Sequence, residues 1–105
     1  MDDILVDFEN KQWESPGNGV RFKSFLKGNQ RLRLVEFSEG FEEKDWCTRG
    51  HAGYVLEGSC TIDFKGRLKS FGTGDVLFIP EGQEYGHKVL INKGEKVLFL
   101  LFEIV

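Results

Sequence analysis

Residues 74–82 read G-D-V-L-F-I-P-E-G, and their order decides how the rest of the chain is understood. Val76 to Ile79 is a short apolar run of the kind that forms a strand. Asp75 precedes it with a carboxylate suited to bonding turn amides. Pro80 ends the run, because its nitrogen has no hydrogen to donate to a neighbouring strand, and Gly82 follows at a turn that brings the next segment back. A strand this short, closed at both ends by turn chemistry, belongs to an architecture assembled from many short strands.

The sequence on either side has the same character. The runs I-L-V-D-F, V-R-F-K-S-F-L, R-L-R-L-V-E-F, Y-V-L-E-G-S-C-T-I-D-F, R-L-K-S-F, H-K-V-L-I and K-V-L-F-L-L-F-E-I-V are rich in β-branched and aromatic residues, and several alternate polar with apolar. With V-L-F-I-P they predict about eight strands. I-D-F-K-G-R-L-K-S-F reads as a hairpin turning at Lys65-Gly66, where glycine supplies the positive φ of a tight turn. No dozen-residue segment keeps an apolar face at helical spacing, and at most F-E-E-K-D, residues 41–45, fits a turn of helix. Short strands between glycine-containing turns imply two sheets burying their inner faces, as a sandwich or small barrel. The last run is apolar on both faces. It is therefore expected in the middle of a sheet or at an interface between chains, which suggests a homodimer.

With 105 residues, the expectation is a single domain over 1–105 with one modest core. Hydrophobic residues at 40% and charged residues at 30% describe a globular protein, with ten phenylalanines prominent among the core formers. A net charge of -3 with no dense basic cluster argues against nucleic acid as a partner. No apolar run is long enough to cross a bilayer, and M-D-D-I-L-V-D lacks the features of a signal peptide, so no membrane partner and a cytoplasmic location are expected. Cys47 and Cys60 are too few for a disulfide framework and are expected as free thiols.

Two segments together, Gly40–Gly58 ending in Y-V-L-E-G and Gly74–His87 beginning G-D-V-L-F-I-P-E-G, resemble the paired motifs of the cupin superfamily, with the intervening hairpin Ser59 to Thr73 of the length usual there. The resemblance implies a small jelly-roll β-barrel, all-β with little or no helix. It also implies positions for metal ligands. Counting back from Tyr54, His51 takes the place of the family's Glu or Gln ligand, while Asp45 and Cys47 take the places of its two histidines. Counting forward from Gly40 lands on Trp46 and Thr48 instead. In the second motif the histidine place falls on Tyr85, with His87 two residues later.

Strand geometry supplies an independent reading, since alternate side chains share a face. If His51 points inward with Gly53 and Val55, the barrel mouth collects Cys47, His51 and His87. A thiolate and two imidazoles suit a divalent metal such as zinc, iron or another transition ion, and three protein ligands leave one position open for chemistry. Asp45, Trp46 and Tyr85 are the expected substrate-pocket neighbours. Each residue also has a structural reading: Cys47 as a buried hydrophobe, His51 and His87 as surface residues, Tyr85 as a wall aromatic. Two functions follow. One is a metal-dependent isomerase, lyase or dioxygenase acting on a small polar metabolite. The other is a metal-free module that binds or senses a small molecule in an aromatic-lined barrel.

Overall fold

The computed structural model describes residues 4–105. Eight strands run β1 (Glu14–Gly17), β2 (Val20–Lys27), β3 (Gln30–Ser38), β4 (His51–Phe64), β5 (Arg67–Gly72), β6 (Val76–Ile79), β7 (Lys88–Leu90) and β8 (Lys96–Ile104), and every pairing is antiparallel. The architecture is a small all-β jelly-roll. Among the described residues there is no α-helix, only a 3-10 turn at Gln83–Tyr85.

β4 organises the fold. Its first half lies between β8 and β6, continuing a sheet ordered β1-β2-β3-β8-β4-β6. Its second half lies between β5 and β7 in the facing sheet. The strand changes sheets at a register shift between Val55 and Glu57, followed by Gly58 at φ 86°. A Cβ on Gly58 would lie 1.8 Å from the Lys96 carbonyl oxygen, so only glycine fits this bend. Val35, Val55, Cys60, Ile62, Val97 and Phe99 are buried between the two sheets and form the centre of the core.

The hairpin turns at Lys65 and Gly66 as expected, with both residues at positive φ and the Asp63 carboxylate accepting the Gly66 N–H. Pro80 stands one residue beyond β6. β8 lies in the middle of its sheet, hydrogen-bonded to β3 and β4 on either side. Its inward residues Val97, Phe99, Leu101 and Glu103 are buried, whereas Phe102 and Ile104 on the outward face are exposed.

Two expectations are corrected. Ile4 to Phe8 form no strand. The segment turns at Asp7–Lys11, where the Asp7 carboxylate accepts from Asn10, and the Phe8 carbonyl is engaged by the Lys23 ammonium at 2.8 Å. Strand β1 starts only at Glu14. Residues 41–45 are not helical either, because the Glu43 carboxylate reaches across to accept the Val89 N–H at 2.8 Å and Cys47 pairs through its backbone with His87. Those cross-connections hold the loop extended along the barrel mouth.

Candidate metal centre

Cys47, His51 and His87 come from three separate segments and meet at one wall of the barrel. An isolated antiparallel bridge sets Cys47 beside His87, with backbone hydrogen bonds of 2.9 and 3.0 Å in the two directions. His51 is the first residue of β4, pairs with Ile79, and shares the inward face with Gly53 and Val55. One potential donor atom from each of the three side chains lies within 4.8 Å of the others. Cys47 Sγ is 3.5 Å from His51 Nε2, and the two imidazole rings stand edge to face with centroids 5.3 Å apart.

Each imidazole is anchored through its other nitrogen. His87 Nδ1 lies 3.0 Å from the Tyr85 carbonyl oxygen, which can only accept, so Nδ1 carries the hydrogen and Nε2 is left for the cluster. His51 Nδ1 lies 2.5 Å from Glu103 Oε2. The approach is off the ideal hydrogen-bond line, so charge rather than a directed bond carries this contact. It still assigns the proton to Nδ1. Carboxylate and carbonyl partners of this kind orient metal-ligating histidines and raise their basicity.

Glu103 is the centre of a further network. Its carboxylate is inaccessible to solvent, receives Arg33 Nε and Nη2 at 2.7 and 2.8 Å, and receives Arg31 at 2.9 Å. Burial alone would raise its pKa, but the His51 contact and the Arg33 guanidinium outweigh burial and bring it down to about 2. Cys47 is lowered to about 5, first by its contact with His51, then by His87, against the opposing effect of burial. Burial pulls both histidines down, yet the neighbouring Cys47 thiolate and, for His51, Glu103 raise them on balance. The cluster thus sets an acidified thiol beside two imidazoles whose pKa values are raised, and a divalent cation there would take the place of their protons. The donor set fits zinc or another borderline transition ion.

The three residues open onto a cavity of about 460 Å³. Phe22, Phe37, Phe41 and Phe99 form much of its wall, with Val20, Val35, Ile62, Leu77 and Ile79 between them. Glu43 also lines it, half-buried, with a pKa raised by burial in spite of the Val89 N–H bond that pulls the other way.

Asp45, Trp46 and Tyr85 are not brought into this cavity. Asp45 is exposed. Trp46 lies outside under Lys88, whose Nζ is 4.6 Å from the ring centroid. Tyr85 sits in the 3-10 turn, where strand alternation with His87 does not apply, and it lines a separate groove with Phe64 and Phe78. Glu103, Arg33, Arg31 and Glu43 belong to the site as well, although the sequence motifs do not point to them. Glu103 had a visible signal: it is the one acid within V-L-F-L-L-F-E-I-V, at the same parity as Val97, Phe99 and Leu101.

Neither family models nor curated proteins match the chain. Solved structures do. The polyketide cyclase RemF from Streptomyces resistomycificus superposes with a TM-score of 0.78 at 23% identity, over 95% of this chain and 78% of that one. An RmlC-like cupin from Shewanella frigidimarina gives 0.75 at 18% identity, over 98% and 92%. KdgF from Halomonas sp. gives 0.71 at 17% identity, over 92% and 91%.

Proposed function

We propose that this chain, which has the cupin fold, is a metal-dependent enzyme of the lyase or isomerase type. Cys47, His51 and His87 hold one divalent ion, zinc by the softness of the thiolate and imidazole donors, and a small organic substrate occupies the adjoining cavity. The observation that carries this reading is the convergence of three donors on a cavity wall, with both imidazoles fixed through Nδ1 so that Nε2 remains for the ion. A closed structural site would use four protein donors, whereas three beside an open cavity leave room for substrate. When bound there, the ion would polarise a carbonyl or hydroxyl oxygen. Glu103 holds His51 in its working tautomer, Arg31 and Arg33 hold Glu103, and the phenylalanine wall excludes water. The polyketide cyclase among the similar structures is consistent with a barrel of this shape housing chemistry. Substitution of cobalt for the native ion tests the ligand set. A thiolate-to-cobalt charge-transfer band is expected in the wild type and absent in Cys47→Ser; a band unchanged in that variant would contradict the assignment.

We further infer that two copies pair through the outward face of β6, β4 and β8. Register aligns Val76, Tyr54 and Leu100 in one row and Phe78, Ala52 and Phe102 in the next, with Ile104 beyond. At the β2 end the chain covers its own sheet, where Trp13 lies over Arg21 and Lys23. The remaining face leaves Phe78 79% and Ile104 61% exposed. With aromatic side chains carrying about 200 Å² each, the exposed shares of Tyr54, Phe78 and Phe102 come to roughly 330 Å² and Val76 and Ile104 add to that, a large part of the ~800 Å² that each partner of a stable dimer contributes. The strands that carry this face inside out are those that carry His51 and Glu103, so pairing would brace the metal centre.

A further inference from the structure

The polar equipment of the cavity is unusual in kind. Apart from Cys47, His51 and His87, the polar side chains lining it are Arg31, Arg33, Arg49 and Glu43, and among the described residues no serine, threonine, asparagine, glutamine or tyrosine lines it. A substrate rich in hydroxyl groups needs a donor or acceptor for each one it buries, whereas here Arg31 and Arg33 are already engaged by Glu103 and the Cys47, His51 and His87 donors are committed to the ion. Glu43 offers little help, since one of its oxygens already accepts the Val89 N–H. The rest of the wall is hydrocarbon, with four phenylalanine rings.

Charge points the same way. Arg31 and Arg33 share the single carboxylate of Glu103 with His51, and Glu43 is the one acid lining the cavity against three arginines. Arg49 lines the mouth with an exposed side chain, and among the described residues it forms no ion pair. A low-dielectric wall concentrates the field of such cations on an entering anion.

Resting on the metal-centre reading above, we propose that the cavity takes a hydrophobic anion: a flat or cyclic, largely carbon body bearing one carboxylate or phenolate, with Arg49 as the residue that receives the charge at entry. A polyhydroxylated acid carries the same charge but a body the wall cannot satisfy.

The test is calorimetric titration of the full chain, metal-loaded and metal-stripped, with metal content measured on the same samples. The probes are 2-naphthoate, the neutral 2-naphthamide, and galacturonate. 2-Naphthoate is expected to bind at least tenfold more tightly than either of the others. Arg49→Gln is expected to remove threefold or more of that preference and Arg49→Lys to restore most of it; the side chain is exposed, so neither substitution threatens folding. Galacturonate binding as tightly as naphthoate, amide and acid binding alike, or no binding by any probe would overturn the proposal. Absence of metal from the loaded sample would instead defeat the metal-centre reading, while naphthoate binding to the same protein would still decide the ligand class.

Discussion

The two faces of β8 reverse the usual rule at one end of the sheet. Near Val97 the inward side is plain core: Val97, Phe99 and Leu101 pack against Val35 and Val55. Two residues beyond Leu101, the inward side carries a buried carboxylate clasped by two arginines and a histidine, while its neighbours Phe102 and Ile104 are exposed on the other side. Apolar burial stabilises the first end without further help. The second end has surrendered core to charge, and buried ion pairs rarely repay their desolvation against a hydrophobic alternative. Such an arrangement is explained by what it positions, which is the imidazole of His51.

The difference between the faces can be broken most severely at Glu103. Glu103→Ala leaves Arg31 and Arg33 around an empty site, and removal of one partner from a buried pair costs 3–5 kcal/mol. Both arginines retain about a quarter of their exposure, so about 2–3 kcal/mol is expected, a fall of roughly 10–20 °C in Tm by thermal unfolding. Metal affinity should fall by about 10- to 100-fold in the same variant, as for other partners of ligating histidines.

The two cysteines give a second contrast. Cys60 in the core is pushed up to about 12, first by burial and then by the charge of Glu95, whereas Cys47 is lowered to about 5. In metal-stripped protein an alkylating reagent should therefore modify Cys47 with a rate that rises through about pH 5 and levels off at neutral pH. Cys60 should react only after unfolding, and peptide mapping distinguishes the two.

Acid titration offers a subtler separation. The folded pKa of Glu103, about 2, lies below its ordinary value of 4.5, so its contribution to stability is present above that ordinary value and is lost as pH falls towards 2. Glu103→Gln should flatten this part of the stability-versus-pH curve measured by urea unfolding. An unchanged curve would remove the electrostatic account of the inner face.

The smallest effect on folding is expected outside. Phe78→Asp with Ile104→Asp alters exposed positions and should change monomer stability by no more than about 0.5 kcal/mol per site. The same variant should sediment as a monomer where the wild type sediments as a dimer. A wild type that is already monomeric at high concentration would contradict the proposed pairing.

Much of the fold was legible because strands and turns leave local marks: the alternation in R-L-R-L-V-E-F, the Lys65-Gly66 turn, the proline closing β6. The segment Ile4–Phe8 has the same marks yet forms no strand, because a strand also needs an edge to pair with and the edge of β2 is taken by Glu14–Gly17. Within the site, the grouping of Cys47, His51 and His87 could be read from motif spacing and strand parity. Tyr85 could not be placed that way, since the 3-10 turn breaks the alternation the reading relied on. Glu103 lies 70 and 72 residues along the chain from Arg33 and Arg31 and about fifty from His51, and only the register of β3 with β8 and of β8 with β4 brings them together.

The central claim, that Cys47, His51 and His87 together hold a metal, is tested most directly by elemental mass spectrometry of untagged wild-type protein beside Cys47→Ala, His51→Ala and His87→Ala. Near-stoichiometric zinc or another divalent transition metal in the wild type, lost in all three variants while each remains folded by circular dichroism, is the predicted result. Metal retained in the variants, or none in the wild type even after reconstitution, would contradict it.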